Sequence, residues 1–283
     1  MRFNSKQYRA ARLSIVAAIG ALLLSSRVYA DPDGAHKTGD EKDASSIFGT
    51  QTDIAVGMGV GFDQRYMGSK DYRSIVWPAI AVHRGIFFAD TLRGAGAEWQ
   101  SDFGLYLADA LNYDVGRGTA TNVFRPGSSN LTGLGEVKGA LTNTVTIAQG
   151  LATWFAITAQ AERALDGSQR GNQYQLGVES TLSLTPKDTV ILDLDAKFGD
   201  RQYNQTYFGV TPSQSNSSGY AQFAPGSGVY AYFLSGNWKH SFDRNWSTRV
   251  IVTATSYTDK VAEGPIVESK FGVAAFTSLN YSF

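Results

Sequence analysis

The sequence contains no cysteine, which excludes a disulfide scaffold, a thiolate metal site and a cysteine nucleophile. It has only 7 prolines, and aromatic residues make up 12% of the chain, so a disordered polypeptide is also disfavoured. The longest apolar run, Ile15 to Leu24, is shorter than the roughly 20 residues that a membrane-spanning helix requires. Basic and acidic residues number 25 each, so the chain lacks the positive excess of a nucleic-acid binder.

Residues 1–30 are predicted to be a secretory signal peptide. An apolar stretch from Leu13 to Ser26 follows a basic segment, and Val28-Tyr29-Ala30 has the small residues that a signal peptidase reads. Cleavage after Ala30 would leave 20 basic and 25 acidic side chains, which again does not favour a nucleic-acid partner. Residues 31–50 are polar and aperiodic, and we expect a flexible periplasmic lead-in there.

The remaining segment, residues 51–283, alternates between apolar and polar side chains with a period of two. Several alternating runs are 12 to 14 residues long, whereas strands of globular proteins most often have about 5–6 residues. A tilted strand needs roughly 9–11 residues to cross a bilayer. The pattern therefore predicts an all-β fold, a transmembrane antiparallel up-and-down β-barrel, in preference to a soluble β-sandwich.

Charged side chains of these runs fall on the less apolar face. A basic residue on the lipid face near the bilayer centre costs about 2–4 kcal/mol, whereas a wet interior tolerates charge. We therefore predict a salt-bridge network in the lumen, with Arg163 as an additional partner. Asp193 and Asp195 could alternatively form an acid–base pair or a cation site. The predicted lumen charges are Glu179, Asp193, Asp195, Lys197, Lys239 and Arg249.

Eleven strands can be read from the sequence, although such barrels contain an even number. We predict twelve strands, with ten as the fallback. The missing strand would lie in 86–102, where Arg93-Gly94-Ala95-Gly96 could form a turn, or between Gln205 and Thr211. Long loops alternate with tight turns, and loop 201–228 could fold inward as a plug or extend outward. The predicted strands are 53–63, 74–83, 86–98, 102–114, 133–145, 150–164, 172–185, 188–200, 229–242, 246–258 and 270–283.

The sequence ends in Phe283, with Tyr281 and Leu279 on the same strand face. This ending resembles the signal by which the barrel-assembly machinery recognises outer-membrane barrels for insertion into lipid. Aromatic residues near the ends of the runs suggest interfacial girdles. They are Tyr174, Phe198, Tyr230, Trp238, Phe242, Trp246, Tyr257, Phe271 and Tyr281.

Two further segments carry a family resemblance. Tyr66, Gly68, Ser69 and Tyr72 follow the first strand and precede Trp77-Pro78. The second segment consists of Tyr207, Phe208, Gly209, Val210 and Thr211. In this order, the segments resemble the MipA/OmpV family over about residues 50–283. We expect Gly68 to form a tight turn, the tyrosines to line the barrel mouth or wall, and Pro78 to mark a bulge or an irregular edge.

The resemblance implies a protein of the Gram-negative outer membrane without catalytic residues, cofactor or metal. Members of the family are described as scaffolds that connect a lytic transglycosylase to a penicillin-binding protein during murein growth, and others as adhesins or porin-like proteins. A small diffusion channel or an adhesin is therefore the alternative function. A lipid hydrolase that uses His240, which lies on the outward face near a tight turn, is a remote one.

Overall fold

The computed structural model describes residues 47–122, 124–165 and 170–283, so the predicted signal peptide and residues 31–46 of the lead-in lie outside the described residues. Twelve antiparallel strands form one closed barrel, as predicted. No helix in the described part of the chain is long and apolar enough to cross a membrane. The strands are β1 (Thr52–Gln64), β2 (Tyr72–Arg84), β3 (Phe87–Asp90), β4 (Gly94–Gln100), β5 (Leu105–Asp114), β6 (Ala140–Ala152), β7 (Phe155–Ala164), β8 (Asn172–Ser183), β9 (Asp188–Gly199), β10 (Gly228–Ser241), β11 (Trp246–Tyr257) and β12 (Phe271–Ser282).

Each strand pairs with its neighbours in the chain, and β1 closes the barrel against β12, with Val56 opposite Tyr281. Closure gives each strand a partner on both sides over at least part of its length, as a bilayer favours, and leaves the loop-end half of β2 paired on one side only. The twelfth strand arises because the predicted run 86–98 is a hairpin whose turn contains Thr91, Leu92 and Arg93. The alternative position, Gln205 to Thr211, is wrong, because Arg201–Phe208 forms helix α1.

The predicted strands 133–145 and 150–164 have wrong boundaries. Gly133 and Gly135 have positive φ angles of 85° and 76°, so the chain is still in a loop there, and β6 begins only at Ala140. The strand then continues to Ala152, with a register shift against β7 between Gly150 and Ala152, and Thr153 and Trp154 form the turn to β7.

The two faces of the wall differ as the alternation predicts. In β1, Val56, Met58 and Val60 point outward and are exposed, whereas the glycines between them face the lumen. Large inward side chains occupy the space above these glycines: Trp77 lies over Gly59, and Phe276 lies over Gly61. The inward glycines therefore make room in a narrow barrel, as a missing side chain allows.

The barrel has a turn end and a loop end. Tight turns at 85–86, 101–104, 153–154, 184–187 and 242–245 lie at the turn end, where the described chain also begins and ends. The segments 65–71, 115–122 with 124–139, 200–227 and 258–270 lie at the loop end, together with Leu165, Arg170 and Gly171. The β3–β4 hairpin is too short to reach that end, so only Ala81 to Arg84 of β2 pair with β3.

Pro78 lies on this open edge of β2. Ile80 directs its N–H and C=O toward Thr91 of the hairpin turn. Alternate residues of a strand direct these groups to the same side, so the nitrogen of Pro78 also faces the open edge, where no ladder hydrogen bond is lost. The prediction of an irregular edge is confirmed, and the strand contains no bulge at this position.

The loop-end segments fold inward and close the barrel; we call them the cap. It includes α1, α2 (Pro212–Ser218), α3 (Asp259–Ala262) and a short 3₁₀ turn at Ser129–Leu131. Loop 201–228 thus adopts the inward alternative. The core of the cap is an aromatic cluster of Tyr203, Tyr207, Phe208, Tyr230 and Tyr257, joined by Val137, Ala231, Phe233 and Val261.

Two residues of the predicted girdle belong to this cluster. Tyr230 and Tyr257 are buried on the inner side of the wall. A register shift between Val229 and Ala231 turns Tyr230 inward, and Tyr257 lies on the inward parity of β11. The girdle prediction is therefore wrong for these two residues.

Candidate functional site: the capped lumen

The helices of the cap begin and end at residues suited to those positions. Asp200 precedes α1 and accepts a hydrogen bond from the backbone nitrogen of Tyr203 at 2.7 Å. Thr211 precedes α2 and forms a capping box with Gln214, in which each side chain accepts a hydrogen bond from the other residue's backbone nitrogen. Gly219, at a φ of 78°, ends α2 in the left-handed conformation. The sequence therefore defines both helices locally.

Arg117 fixes the C-terminal end of α1. Its guanidinium donates to the carbonyl oxygen of Tyr207 at 2.7 Å and to that of Thr206 at 3.4 Å. These last-turn carbonyls have no partner within the helix and carry partial negative charge, so a cation there is favourable. Burial lowers the pKa of Arg117, and the neighbouring Tyr207 and Tyr66 partly offset that effect.

A buried ion-pair network lies beside Arg117. Arg170 bonds to Asp114 and lies 3.5 Å from an Oε atom of Glu162. Burial acts to lower the pKa of Arg170, but Tyr207 and Asp114 outweigh burial and raise the pKa above its ordinary value. The network connects three separate elements: β5 through Asp114, β7 through Glu162 and the β7–β8 loop through Arg170.

Both signature segments belong to the cap. Tyr66 donates to Glu268 at 2.9 Å and to the carbonyl oxygen of Ile266 at 3.1 Å, and it shares an apolar cluster with Val210. Burial, followed by the contact with Glu268, raises the pKa of Tyr66. The two segments, distant in sequence, therefore meet at one place.

Most other signature residues have structural partners. Gly68 has a φ of 84°, as expected for a tight turn, and Ser69 accepts from the backbone nitrogen of Asp71 at 3.1 Å. Gly209 ends α1, and Phe208 is fully buried in the aromatic cluster. Tyr72 differs, because it lies on the outer wall, where its ring packs against Phe62.

The lumen beneath the cap is charged. Glu179, Asp193, Asp195, Lys197 and Arg249 are buried on the inner face. Lys197 donates to the Oε1 atom of Gln175. The side-chain nitrogen of Gln175 in turn donates to Asp195 at 2.6 Å. Lys239 faces inward at the turn end, opposite Arg249. Among the described residues, no group of three or more His, Asp or Glu side chains could hold a metal ion.

Arg163 is not an interior partner. It alternates with Glu162 on β7, so Glu162 faces the lumen and Arg163 is exposed on the outer wall. Glu162 is not among the predicted lumen charges, although the alternation of β7 places it on the inner face. Arg117 and Arg170 are not predicted either, because they lie in loops where periodicity gives no signal.

A second cluster, also missed, stabilises the short β3–β4 hairpin from inside. Arg93 bonds to Asp90 at 2.6 Å and to Glu98 at 2.7 Å. Glu98 also accepts from Tyr106 at 2.7 Å and lies 3.3 Å from the Nε2 atom of His83. The carboxylate of Glu98 therefore connects β2, β4, β5 and the hairpin turn.

His240 lies among aromatic residues at the turn end. Its Nδ1 atom is 2.8 Å from Asp188, which also accepts from the indole nitrogen of Trp238 at 3.0 Å. Its ring lies 4.9 Å from that of Phe242. This is the environment that an interfacial girdle residue would have.

Comparison with known proteins gives one family match. The model of the family described as "MltA-interacting protein MipA" matches residues 56–283, which include both signature segments. No curated protein sequence matches the chain.

Several solved barrel structures are similar to the chain at low sequence identity. The NanC porin is 9% identical with a TM-score of 0.42, and the match covers 80% of this chain and 98% of the porin. The translocator domain of the autotransporter NalP from Neisseria meningitidis is 10% identical with a TM-score of 0.36, covering 83% and 89%. Pseudomonas aeruginosa OprD is 8% identical with a TM-score of 0.32, covering 84% and 97%.

Proposed function

Because the chain belongs to the family of the MltA-interacting protein MipA, we propose that it is a scaffold in the outer membrane of a Gram-negative bacterium. In this proposal the barrel-assembly machinery inserts the chain, the apolar outer wall contacts lipid, and the protein has no enzymatic activity. Its partners are a lytic transglycosylase and a penicillin-binding protein of murein synthesis.

The single observation that carries the proposal is the closed lumen. Tyr203, Tyr207 and Phe208 fill the loop end of the barrel, each with an exposed fraction of at most 1%. Arg117 bonds to the last turn of α1, and Arg170 connects the cap to Asp114 of β5 in the wall. A barrel whose interior is occupied has its outer wall and two ends available for function, which favours binding of partners over transport.

Murein enzymes act in the periplasm, so their docking surface should lie at the turn end. In outer-membrane barrels the short turns are periplasmic and the long loops extracellular. The turns 184–187 and 242–245 carry the exposed residues Lys187 and Arg244. We therefore expect charge reversal at these two residues to weaken partner binding.

The test is affinity capture from detergent-solubilised envelopes. The wild-type chain should capture a lytic transglycosylase and a penicillin-binding protein, and the double variant Lys187→Glu with Arg244→Glu should capture less of both. Lys138→Glu, at an exposed position of the loop end, is the matched control and should capture as much as wild type. Clean absence of murein enzymes from the wild-type capture would contradict the scaffold.

A gated channel is the second candidate, because the lumen beneath the cap is lined with charged groups. Planar-bilayer recordings test this function directly, because the absence of ionic current at every applied voltage would exclude a channel. Hydrolysis of lipid that survives His240→Ala would eliminate that histidine as a catalytic residue. The membrane location itself is checked by heat-modifiable migration on a gel, because folded outer-membrane barrels resist detergent at room temperature.

A further inference from the structure

One side of the outer wall departs from the apolar pattern of the rest. Asp109 is the fifth of ten residues of β5 and points outward between Leu107 and Leu111. Within the described strands, it is the only charged residue of the outer face that lies away from the strand ends. A charge in this position is costly when it faces hydrocarbon, so the side chain requires a polar environment that lipid does not provide.

A second polar side chain lies next to Asp109 on the same outer face. Asn143 of β6 donates its side-chain amide to the Oδ1 atom of Asp109. The amide offers further hydrogen-bonding capacity, and Arg163 of β7 stands opposite Asn143 on the outer face. This side of the barrel therefore presents an acid, an amide and a base within three adjacent strands.

The strands on both sides of this polar group carry small outward residues. Ala97 of β4 lies opposite Asp109, and Ala161 of β7 lies opposite Val145, the β6 neighbour of Asp109. By contrast, the outer face of β9 presents Leu192 and Leu194. Small side chains allow close approach of two backbones within a membrane, and hydrogen bonds between polar groups stabilise such contacts.

We infer that the outer face of β4 to β7 is an interface with a second copy of this chain. The argument for a second copy is charge complementarity. A patch that contains both Asp109 and Arg163 is complementary to itself, as the isologous contact of a two-fold dimer requires. With the two-fold axis parallel to the barrel axis and passing over β6, Asn143 lies near the axis and β5 of each copy faces β7 of the other, which brings Asp109 of one copy toward Arg163 of its partner. The inference requires a bilayer but not the scaffold function.

Crosslinking of single cysteines tests the interface, because the chain has no cysteine of its own. Val145→Cys places a thiol beside Asp109, and Val252→Cys on β11 is the matched control, with exposed fractions of 41% and 46% for the two valines. In isolated membranes, oxidation should convert the Val145→Cys protein to a crosslinked dimer and leave the Val252→Cys protein monomeric. Equal crosslinking at both positions would overturn the inference, and so would a Val145→Cys adduct with a protein of another mass.

Replacement of Asp109 distinguishes a patch that contacts a second copy from a patch that faces lipid. In the Val145→Cys background, Asp109→Leu should raise the dissociation constant of the dimer about tenfold, the effect of losing a polar contact within a membrane. Asn143→Leu should act in the same direction, and heat-modifiable migration confirms that each variant is folded. If Asp109→Leu instead leaves crosslinking unchanged and raises the melting temperature of the barrel, Asp109 faces lipid and an interface held by this polar patch is excluded.

Discussion

Phe208 offers the sharpest test of how the cap is held in place. Its side chain is fully buried, with ring centroids 5.5 Å from Tyr230 and 6.1 Å from Tyr257. Truncation of a buried phenylalanine to alanine costs about 3–5 kcal/mol, which includes the cavity that remains. Because the strands of the wall are stabilised by their own ladders, we expect most of this cost to fall on the cap.

The expected consequence is selective opening of the cap. A cost of about 3 kcal/mol corresponds to an increase of more than a hundredfold in the open population, since each 1.4 kcal/mol is a factor of ten. Hydrogen exchange of Phe208→Ala in detergent should therefore accelerate across residues 201–227 and remain slow in β8 and β9. If the cap closes a conducting lumen, the same variant should also show brief conductance events in planar bilayers.

Two control variants define the result. Phe208→Leu nearly conserves volume and should cost less than about 1.5 kcal/mol, whereas Phe103→Ala, at an exposed turn-end position, should leave exchange unchanged. Unchanged exchange in 201–227 for Phe208→Ala would refute the assignment of the aromatic cluster as the element that holds the cap. Equal acceleration in the strands would show instead that cap and wall open as one unit.

Three further predictions concern other parts of the chain. Arg117→Met retains the apolar stem but removes the donors to the last-turn carbonyls of α1. The free energy of opening that hydrogen exchange measures in 201–208 should fall by about 2 kcal/mol, and normal exchange there would contradict this role. Burial acts to raise the pKa of Glu268, but hydrogen bonds from Lys70 and Tyr66 outweigh burial and lower that pKa. The ionised carboxylate therefore stabilises the folded cap at any pH above the pKa of the unfolded chain. This stabilisation is lost as the pH falls through the lower pKa of the folded state. Exchange in 258–270 should accordingly accelerate only once the pH has fallen below the ordinary pKa of a glutamate, and Glu268→Gln should abolish that step. Deletion of Phe283 should reduce the fraction that becomes heat-modifiable in cells, and wild-type assembly would contradict an insertion signal.

The wall of the barrel could be predicted from the sequence to a large extent. Alternation along a strand predicts which side chains face lipid and which face inward, and it predicts an inward orientation for Glu179, Asp193 and Asp195 without knowledge of how the strands pair. It failed where a turn leaves no strong signal: the β3–β4 hairpin was merged into one run, and β6 was placed several residues too early. These errors shift boundaries, but they leave the faces of the strands unchanged.

The sequence by itself determined the wall, because the period of two is a local property that each strand expresses independently of its neighbours. Only the tertiary structure decided the cap and the surface patch. The inward turn of Tyr230, the contact of Arg117 with α1 and the approach of Tyr66 to Val210 depend on residues distant in sequence. The same is true of Asp109 and Asn143, because their contact exists only once β5 and β6 have paired in register.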